Sequence, residues 1–214
     1  GPGLWTDFDN YFARIEGNRS VRDKECGIFQ ELSFDGIGRY NVVEGTTSEF
    51  HPTSLWNNGA ICTVDSRRAN VYGNTVINNG AGIVGIRSTR SPSVPSTGEI
   101  AGLSDMNVHD NVIVQNRNIA AGAVDNNQPA IYTSLNNRYS NNWFKLWDVM
   151  ALAYQWSFGT NNRSLWQAAG EDLTGTWISP SNNSFPSTKF TEFDRVTTTS
   201  PTQVWSLPSA VDGT

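Results

Sequence analysis

Four carboxylates and two aromatic residues make the first pattern with chemical content. Asp7 and Asp9 follow Trp5 in Gly3-Leu4-Trp5-Thr6-Asp7-Phe8-Asp9, Glu31 follows Phe29 in Gly27-Ile28-Phe29-Gln30-Glu31-Leu32-Ser33, and Asp65 ends Gly59-Ala60-Ile61-Cys62-Thr63-Val64-Asp65. Successive side chains of a strand point to opposite faces. If Leu4, Thr6 and Phe8 turn inward, Trp5, Asp7 and Asp9 turn outward. Phe29, Glu31 and Ser33 do the same in the second segment, and Ile61, Thr63 and Asp65 in the third. On neighbouring parallel strands Asp7 and Glu31 share a column, with backbones about 4.8 Å apart. Like charges that close push one carboxyl upward and leave an acid beside a base. The spacing is nearer the about 5 Å of a retaining glycosidase pair than the roughly 6.5–9.5 Å of an inverting one. Asp9 and Asp65 add further carboxylates, and Trp5 and Phe29 offer a platform for a sugar ring. Asp7, Asp9 and Glu31 are also oxygen donors of the kind that hold Ca²⁺. The plain alternative is a solvated outer face with no task.

Cations near the same segments are Arg67, Arg68, Arg87 and Arg90, of which Arg87 and Arg90 are the candidates to hold an acidic sugar. Lysines are few (Lys24, Lys145 and Lys189), which leaves a lyase short of a base and favours hydrolysis. His109 reads as a hydrogen-bonding turn residue beside Asn111, and His51 lies before Pro52 in an insertion. Zinc-ligand spacing, a nucleophile elbow, a phosphate loop and a dinucleotide fingerprint do not occur.

A repeat must position these residues. Each glycine-led segment is followed by a second one centred on asparagine: Asn18, Asn41, Asn74, Asn111, and then Asn136-Asn137. The intervals of 23, 33, 37 and 26 residues, the last counted to Asn137, fit one solenoid coil each. The longer ones contain Pro/Ser/Thr-rich insertions, at 46–56 and 88–103, that read as extruded loops. Short strands with alternate apolar residues bury one face only by stacking on their neighbours. Leu4, Ile28, Ala60 and Ile83 are expected to stack inside. Thr6, Gln30, Cys62 and Gly85 form the next inward column, then Phe8, Leu32 and Val64. Ile15, Val71 and Val108 line a second inner face. The asparagines are expected to take the left-handed backbone at each turn and to bond one another in a ladder. The expected fold is all-β: a right-handed parallel β-helix of about five coils over 1–142, an aromatic-rich cap over 143–178, and an extended tail over 179–214.

Composition agrees with strands joined by many turns. Hydrophobic residues are 37% and charged residues 16%. Asparagine and glycine suit turns and weaken helices. The net charge of −5 gives no basic field for nucleic acid, and no apolar run is long enough for a membrane span. Cys26 and Cys62 fall at a turn and inside a strand on this register, so a disulfide between them is not the expected pairing. Asn18, Asn162 and Asn182 head glycosylation sequons. Trp143, Trp147, Tyr154, Trp156, Phe158, Trp166 and Trp177 are expected to cover the end of the stack.

The stretches Gly1-Pro2-Gly3-Leu4-Trp5-Thr6-Asp7-Phe8-Asp9-Asn10, Gly27-Ile28-Phe29-Gln30-Glu31-Leu32-Ser33-Phe34-Asp35 and Val71-Tyr72-Gly73-Asn74-Thr75-Val76 resemble the C-terminal half of bacterial secreted right-handed parallel β-helix repeat proteins, of the pectate-lyase-like superfamily. The resemblance covers about 1–145 and extends to Trp166–Thr176. It implies an extracellular protein, in a superfamily of polysaccharide lyases, glycoside hydrolases, phage tailspikes and surface proteins. In such relatives the matching Gly-Pro-Gly lies inside the helix. Two functions follow as expectations. One is a carbohydrate-active protein that binds or cleaves polysaccharide on the first-sheet face, without an obligatory cofactor or with Ca²⁺. The other is a non-catalytic module of a stacked or trimeric assembly, joined through its open N-terminal coil.

Overall fold

The computed structural model describes residues 1–47, 58–88, 97–114, 119–125, 129–147, 152–157, 159–179 and 181. Its regular structure is mostly strand. The chain runs through the same sheets in turn and comes back to the first after each circuit. The first circuit is β1 (Leu4–Thr6), β2 (Asn10–Tyr11), β3 (Arg14–Glu16) and β4 (Arg19–Val21). The second is β5 (Ile28–Glu31), β6 (Ser33–Phe34), β7 (Ile37–Arg39) and β8 (Val42–Glu44). The third is β9 (Gly59–Val64), β10 (Asn70–Tyr72) and β11 (Thr75–Ile77). The fourth is β12 (Ala81–Ile86), β13 (Asn107–His109) and β14 (Val112–Val114), and the fifth is β15 (Ala121–Val124), β16 (Arg138–Ser140) and β17 (Trp143–Lys145). β18 (Tyr154–Trp156) turns back on β19 (Gly159–Asn161), and helix α1 (Arg163–Ala168) leads to β20 (Thr176–Trp177).

Strands of successive circuits pair in parallel. The first sheet is β1-β5-β9-β12-β15-β18-β19, the second β16-β13-β10-β7-β3, the third β20-β17-β14-β11-β8-β4, and β2-β6 is a small side sheet. Only β18 and β19 pair antiparallel among the named strands. The side sheet continues through single bridges from Phe34 to Arg67 and from Arg67 to Ser104. The stack runs on past residue 142, because Val112 pairs with Trp143 and Phe144 with Trp177.

Burial follows from alternation. In the second sheet Ile15, Gly38, Val71, Val108 and Tyr139 form the middle column. In the third, Ser20, Val43, Val76, Ile113, Phe144 and Trp177 do. These meet Leu4, Ile28, Ile61, Ile83, Ala121 and Tyr154 of the first sheet inside the stack. Aromatics dominate the closed end. Trp166 lies 5.0 Å from both Tyr154 and Tyr139 and 5.5 Å from Trp156 by ring centroids. Of the expected cap aromatics, Trp147 is instead exposed, and Phe158 lies outside the described residues.

The inward columns differ from expectation in the third circuit. Ile28 pairs with Ile61, not Ala60, so Ile61 and Thr63 face inward while Cys62 and Val64 face outward. The one-residue shift also brings Cys62 to Cys26, and the two are joined as a disulfide with Cα atoms 6.1 Å apart. The chain is therefore cross-linked where no bond was expected.

The asparagine ladder is present, with two changes. Asn18, Asn41, Asn74 and Asn111 take part, but the fifth member is Asn142 and the last is Asp172. The left-handed backbone falls on the residue before each asparagine rung, Gly17, Tyr40, Gly73, Asp110 and Asn141, all with φ between 53° and 69°. Asn137 has another task. It accepts from the Met106 amide and donates to the carbonyls of Leu103 and Ile131. At Gly122 (φ +148°) a Cβ would stand 2.2 Å from the Gln155 carbonyl oxygen, so no side chain fits between β15 and β18.

Candidate functional site

The outer face of the first sheet changes character along the stack. In the first two circuits it carries Trp5 and Phe29, whose rings stack at 6.0 Å with planes 13° apart. Trp5 covers Phe29 and stays 54% exposed. The pairing of β1 with β5 ends at Thr6 and Gln30, and Asp7 and Glu31 are the residues that follow them. Asp7 is exposed, whereas Glu31 is buried with 7% exposure. Asp9 is half-buried, behind a corner where Phe8 (φ 41°) and Asp9 (φ 65°) are left-handed. That corner is one residue longer than its counterpart, since Thr6 pairs with Gln30 but Asn10 with Ser33. The Ser33 hydroxyl lies 3.2 Å from Thr6 Oγ1 and ties the first two circuits together.

From the third circuit on, the same columns are apolar. Glu31 pairs with Val64, and Val64 with Ile86. Phe29, Cys62, Val64, Val84 and Ile86, with Cys26 and Ile119, form a second buried apolar cluster. From the third circuit on, the outer face of the first sheet is therefore covered. What remains accessible is its first end, around Trp5 and Asp7.

Asp65 is not part of the column. It sits at the corner after β9 with φ 46°, fully buried. Its carboxylate accepts from Arg87 Nη1 at 2.7 Å, from the Ser88 amide at 2.9 Å and from the Ser88 hydroxyl. Arg87 is itself only 6% exposed. The pair clamps the third circuit to the fourth, so neither residue is presented to a sugar. Arg90 and His51 lie outside the described residues. Arg68 grips Asp35 through two nitrogens, at 2.7 and 2.9 Å, and also reaches Glu99. The hydrogen bonds to Asp35 and Glu99 raise its pKa despite partial desolvation. Among the described residues, no group of three or more His, Cys, Asp or Glu is arranged to hold a metal ion.

The outer face of the second sheet carries a polar and aromatic ladder that sequence reasoning missed. Glu16, Arg39, Tyr72 and His109 occupy one register position on four circuits. Arg39 donates to Glu16 at 2.6 Å and to the Tyr72 hydroxyl at 2.9 Å, and the Tyr72 and His109 rings stack at 5.0 Å. His109 Nδ1 is 2.7 Å from Asp110 Oδ2, and Nε2 is 3.1 Å from Asn70 Oδ1. The available signal was the shared offset of these residues from the ladder asparagines, two positions before each. Because the rings stack on one another along the column, they present edges outward. Trp5 differs, because its stack with Phe29 accounts for one ring face only.

Two sequon asparagines are committed to hydrogen bonds. Asn18 is a rung of the ladder, and Asn162 caps helix α1 by accepting from the Leu165 amide at 3.1 Å. No helix of the described residues is long and apolar enough to cross a membrane. Comparison of the chain with protein-family models, with curated proteins and with solved structures finds no match.

Proposed function

We propose that this chain is a right-handed parallel β-helix with a secreted, carbohydrate-active role, and that it takes polysaccharide at the first end of the first sheet. The observation that carries this reading is the half-exposed indole of Trp5, stacked on Phe29, with Asp7 and Glu31 two residues further along each segment. An open aromatic face next to carboxylates holds a sugar ring by its apolar face and its hydroxyls. Asp7, exposed, meets the ligand first, and Glu31 lies beneath as the covered member of an acid and base pair. Hydrolysis fits better than elimination, because Arg87 and Arg68 are tied to Asp65, Asp35 and Glu99 and are not at hand to neutralise a sugar carboxylate. The Cys26–Cys62 disulfide supports an oxidising compartment.

Affinity electrophoresis against neutral and acidic polysaccharides tests the reading. Retardation of the wild-type chain is expected to fall at least about tenfold in Trp5→Ala and Asp7→Asn, which corresponds to about 1.4 kcal/mol. Melting temperatures should stay unchanged, because both side chains are exposed. Glu31→Gln should bind but release no reducing ends. Equal retardation of wild type and both variants would refute the site.

A second reading, a non-catalytic stacking module, is favoured by the unlike ends of the molecule. β1, β3 and β4 are outermost strands of their sheets, and β2 has a single neighbour. The opposite end is closed by α1, the β18–β19 hairpin and the Trp166 cluster.

A further inference from the structure

We propose that the interior of the stack binds one ordered water molecule between Gln30 and Thr63, and that this water helps to fix the register of β5 against β9.

Gln30 and Thr63 are Cα partners on these two strands, and both are fully buried on the inward side. The Nε2 and Oε1 atoms of Gln30 and the Thr63 hydroxyl find no hydrogen-bond partner among the described residues. A buried amide or hydroxyl left so costs stability, and such groups are nearly always satisfied by protein or by ordered water. Neighbouring strands stand about 4.8 Å apart, whereas a direct hydrogen bond needs about 3 Å. One oxygen atom placed between the two side chains spans the difference.

The neighbouring residues are small. Gln30 reaches from the first sheet toward the second, where its amide lies against two glycines. A Cβ on Gly36 would stand 3.1 Å from Nε2, and one on Gly38 would stand 3.8 Å from it. Gly38 is the member without a side chain in the middle column Ile15, Gly38, Val71, Val108 and Tyr139. Ala69 leads into β10 as Gly36 leads into β7, so the third circuit also brings a small residue to this corner. One circuit further the interior is filled by apolar atoms. A Cβ on Gly85, the partner of Thr63, would meet Leu103 Cδ2 and Met106 Cε, each at 2.9 Å. The polar site is thereby confined to the second and third circuits.

The three atoms decide what the ligand is. Nε2 gives protons and needs an acceptor, Oε1 needs a donor, and the Thr63 hydroxyl takes either. A cation would meet Oε1 and the hydroxyl oxygen and leave Nε2 opposed to it. An apolar guest would meet none of them. Water both donates and accepts, and about three hydrogen bonds are usual for a buried one.

The site also distinguishes the two registers that the wholly buried β9 allows. With Ala60 opposite Ile28, Cys62 would face Gln30 and the Thr63 hydroxyl would turn to the outer face. The Gln30 amide would then lose the group that shares its water. In the observed register Ile61 faces Ile28, and the bridge inside the stack and the Cys26–Cys62 bond outside it select the same alignment.

Water–protein NOE spectroscopy on the full chain tests the site. The Gln30 side-chain amide protons, assigned by their loss in Gln30→Leu, should show a cross-peak to a long-lived water, and Thr63→Val should abolish it. Oxygen-17 relaxation dispersion should count one long-lived water fewer in the Gln30→Leu, Thr63→Val double variant than in wild type. In urea titrations each single substitution should raise the unfolding constant about tenfold, and the double variant should raise it by less than the product of the two. Absence of the cross-peak in wild type would overturn the proposal, and so would stabilisation by either single substitution. A melting temperature raised by sodium or potassium, but not by choline at equal ionic strength, would replace the water with a cation. For the register, Cys26→Ala with Cys62→Ala should keep the Ile28–Ile61 NOE, and adding Thr63→Val should bring in an Ile28–Ala60 NOE. An Ile28–Ile61 NOE unchanged in that triple variant would remove the register role.

Discussion

Asp65 and Arg87 form a buried ion pair. Both are buried, 2.7 Å apart, and two bonds from Ser88 occupy the carboxylate further. Breaking such a pair from one side leaves a buried charge without its counter-ion, at a cost of about 3–5 kcal/mol. Arg87→Ala is therefore expected to lower unfolding stability by that amount in a urea titration. The double variant Arg87→Met with Asp65→Leu should lose less than Arg87→Ala alone, because no charge stays behind. A larger loss in the double variant would show that the pair contributes net attraction. Asp65 was expected among the outward carboxylates because it ends a glycine-led segment as Asp9 does. Position within a segment does not report the corner: Leu32 and Asp65 both take φ near 45°, where the strand has ended and alternation no longer holds.

At the scale of the elements, the ladder holds the second and third sheets together at their corner. Asn74 is bonded on both sides, and it also donates to the carbonyls of Gly38 and Tyr72. Asn74→Ala strands several buried groups and should cost about 2–3 kcal/mol, whereas Asn18→Ala at the open edge should cost about 1 kcal/mol. Guanidinium unfolding of the two variants measures the contrast, and equal losses would count against a ladder that stabilises through its interior rungs. Much of this element was legible. The intervals between Asn18, Asn41, Asn74 and Asn111 marked the circuits because each rung needs an amide at one fixed place. The next rung was not legible, since Asn136, Asn137, Asn141 and Asn142 all offer the same amide and only pairing decides among them. The slip at β9 has a similar cause. All six residues of Gly59–Val64 are buried, so the strand shows no alternation, and two registers fit equally until Ile61 meets Ile28. The disulfide was hidden behind that slip, and the covered outer face behind the same run of apolar residues.

The whole molecule is closed at one end by groups that titrate. Glu171 accepts from the Tyr139 amide on the outermost strand of the second sheet, and burial, with a smaller push from Asp172, raises its carboxyl to about 7. Burial raises Asp172 as well. Between the ordinary value of 4.5 and about 7, the folded chain keeps a proton that the unfolded chain has released. The stabilisation is full below that range and is lost as pH climbs through about 7. The melting temperature should fall between pH 5 and pH 8, and Glu171→Gln, which keeps an acceptor for Tyr139, should flatten the fall. An unchanged slope in that variant would assign the pH dependence elsewhere. The disulfide has its own consequence at this scale, which appears under mechanical load. A stack of circuits pulled from its two chain ends yields one circuit at a time, each released as slack. Cys26 and Cys62 enclose 36 residues of sequence separation, and those residues cannot extend while the bond stands. In an optical trap the reduced protein should give about 120 Å more contour length than the oxidised one. The cross-link thus works as a stop on unravelling, placed between the second and third circuits, just inside the open end.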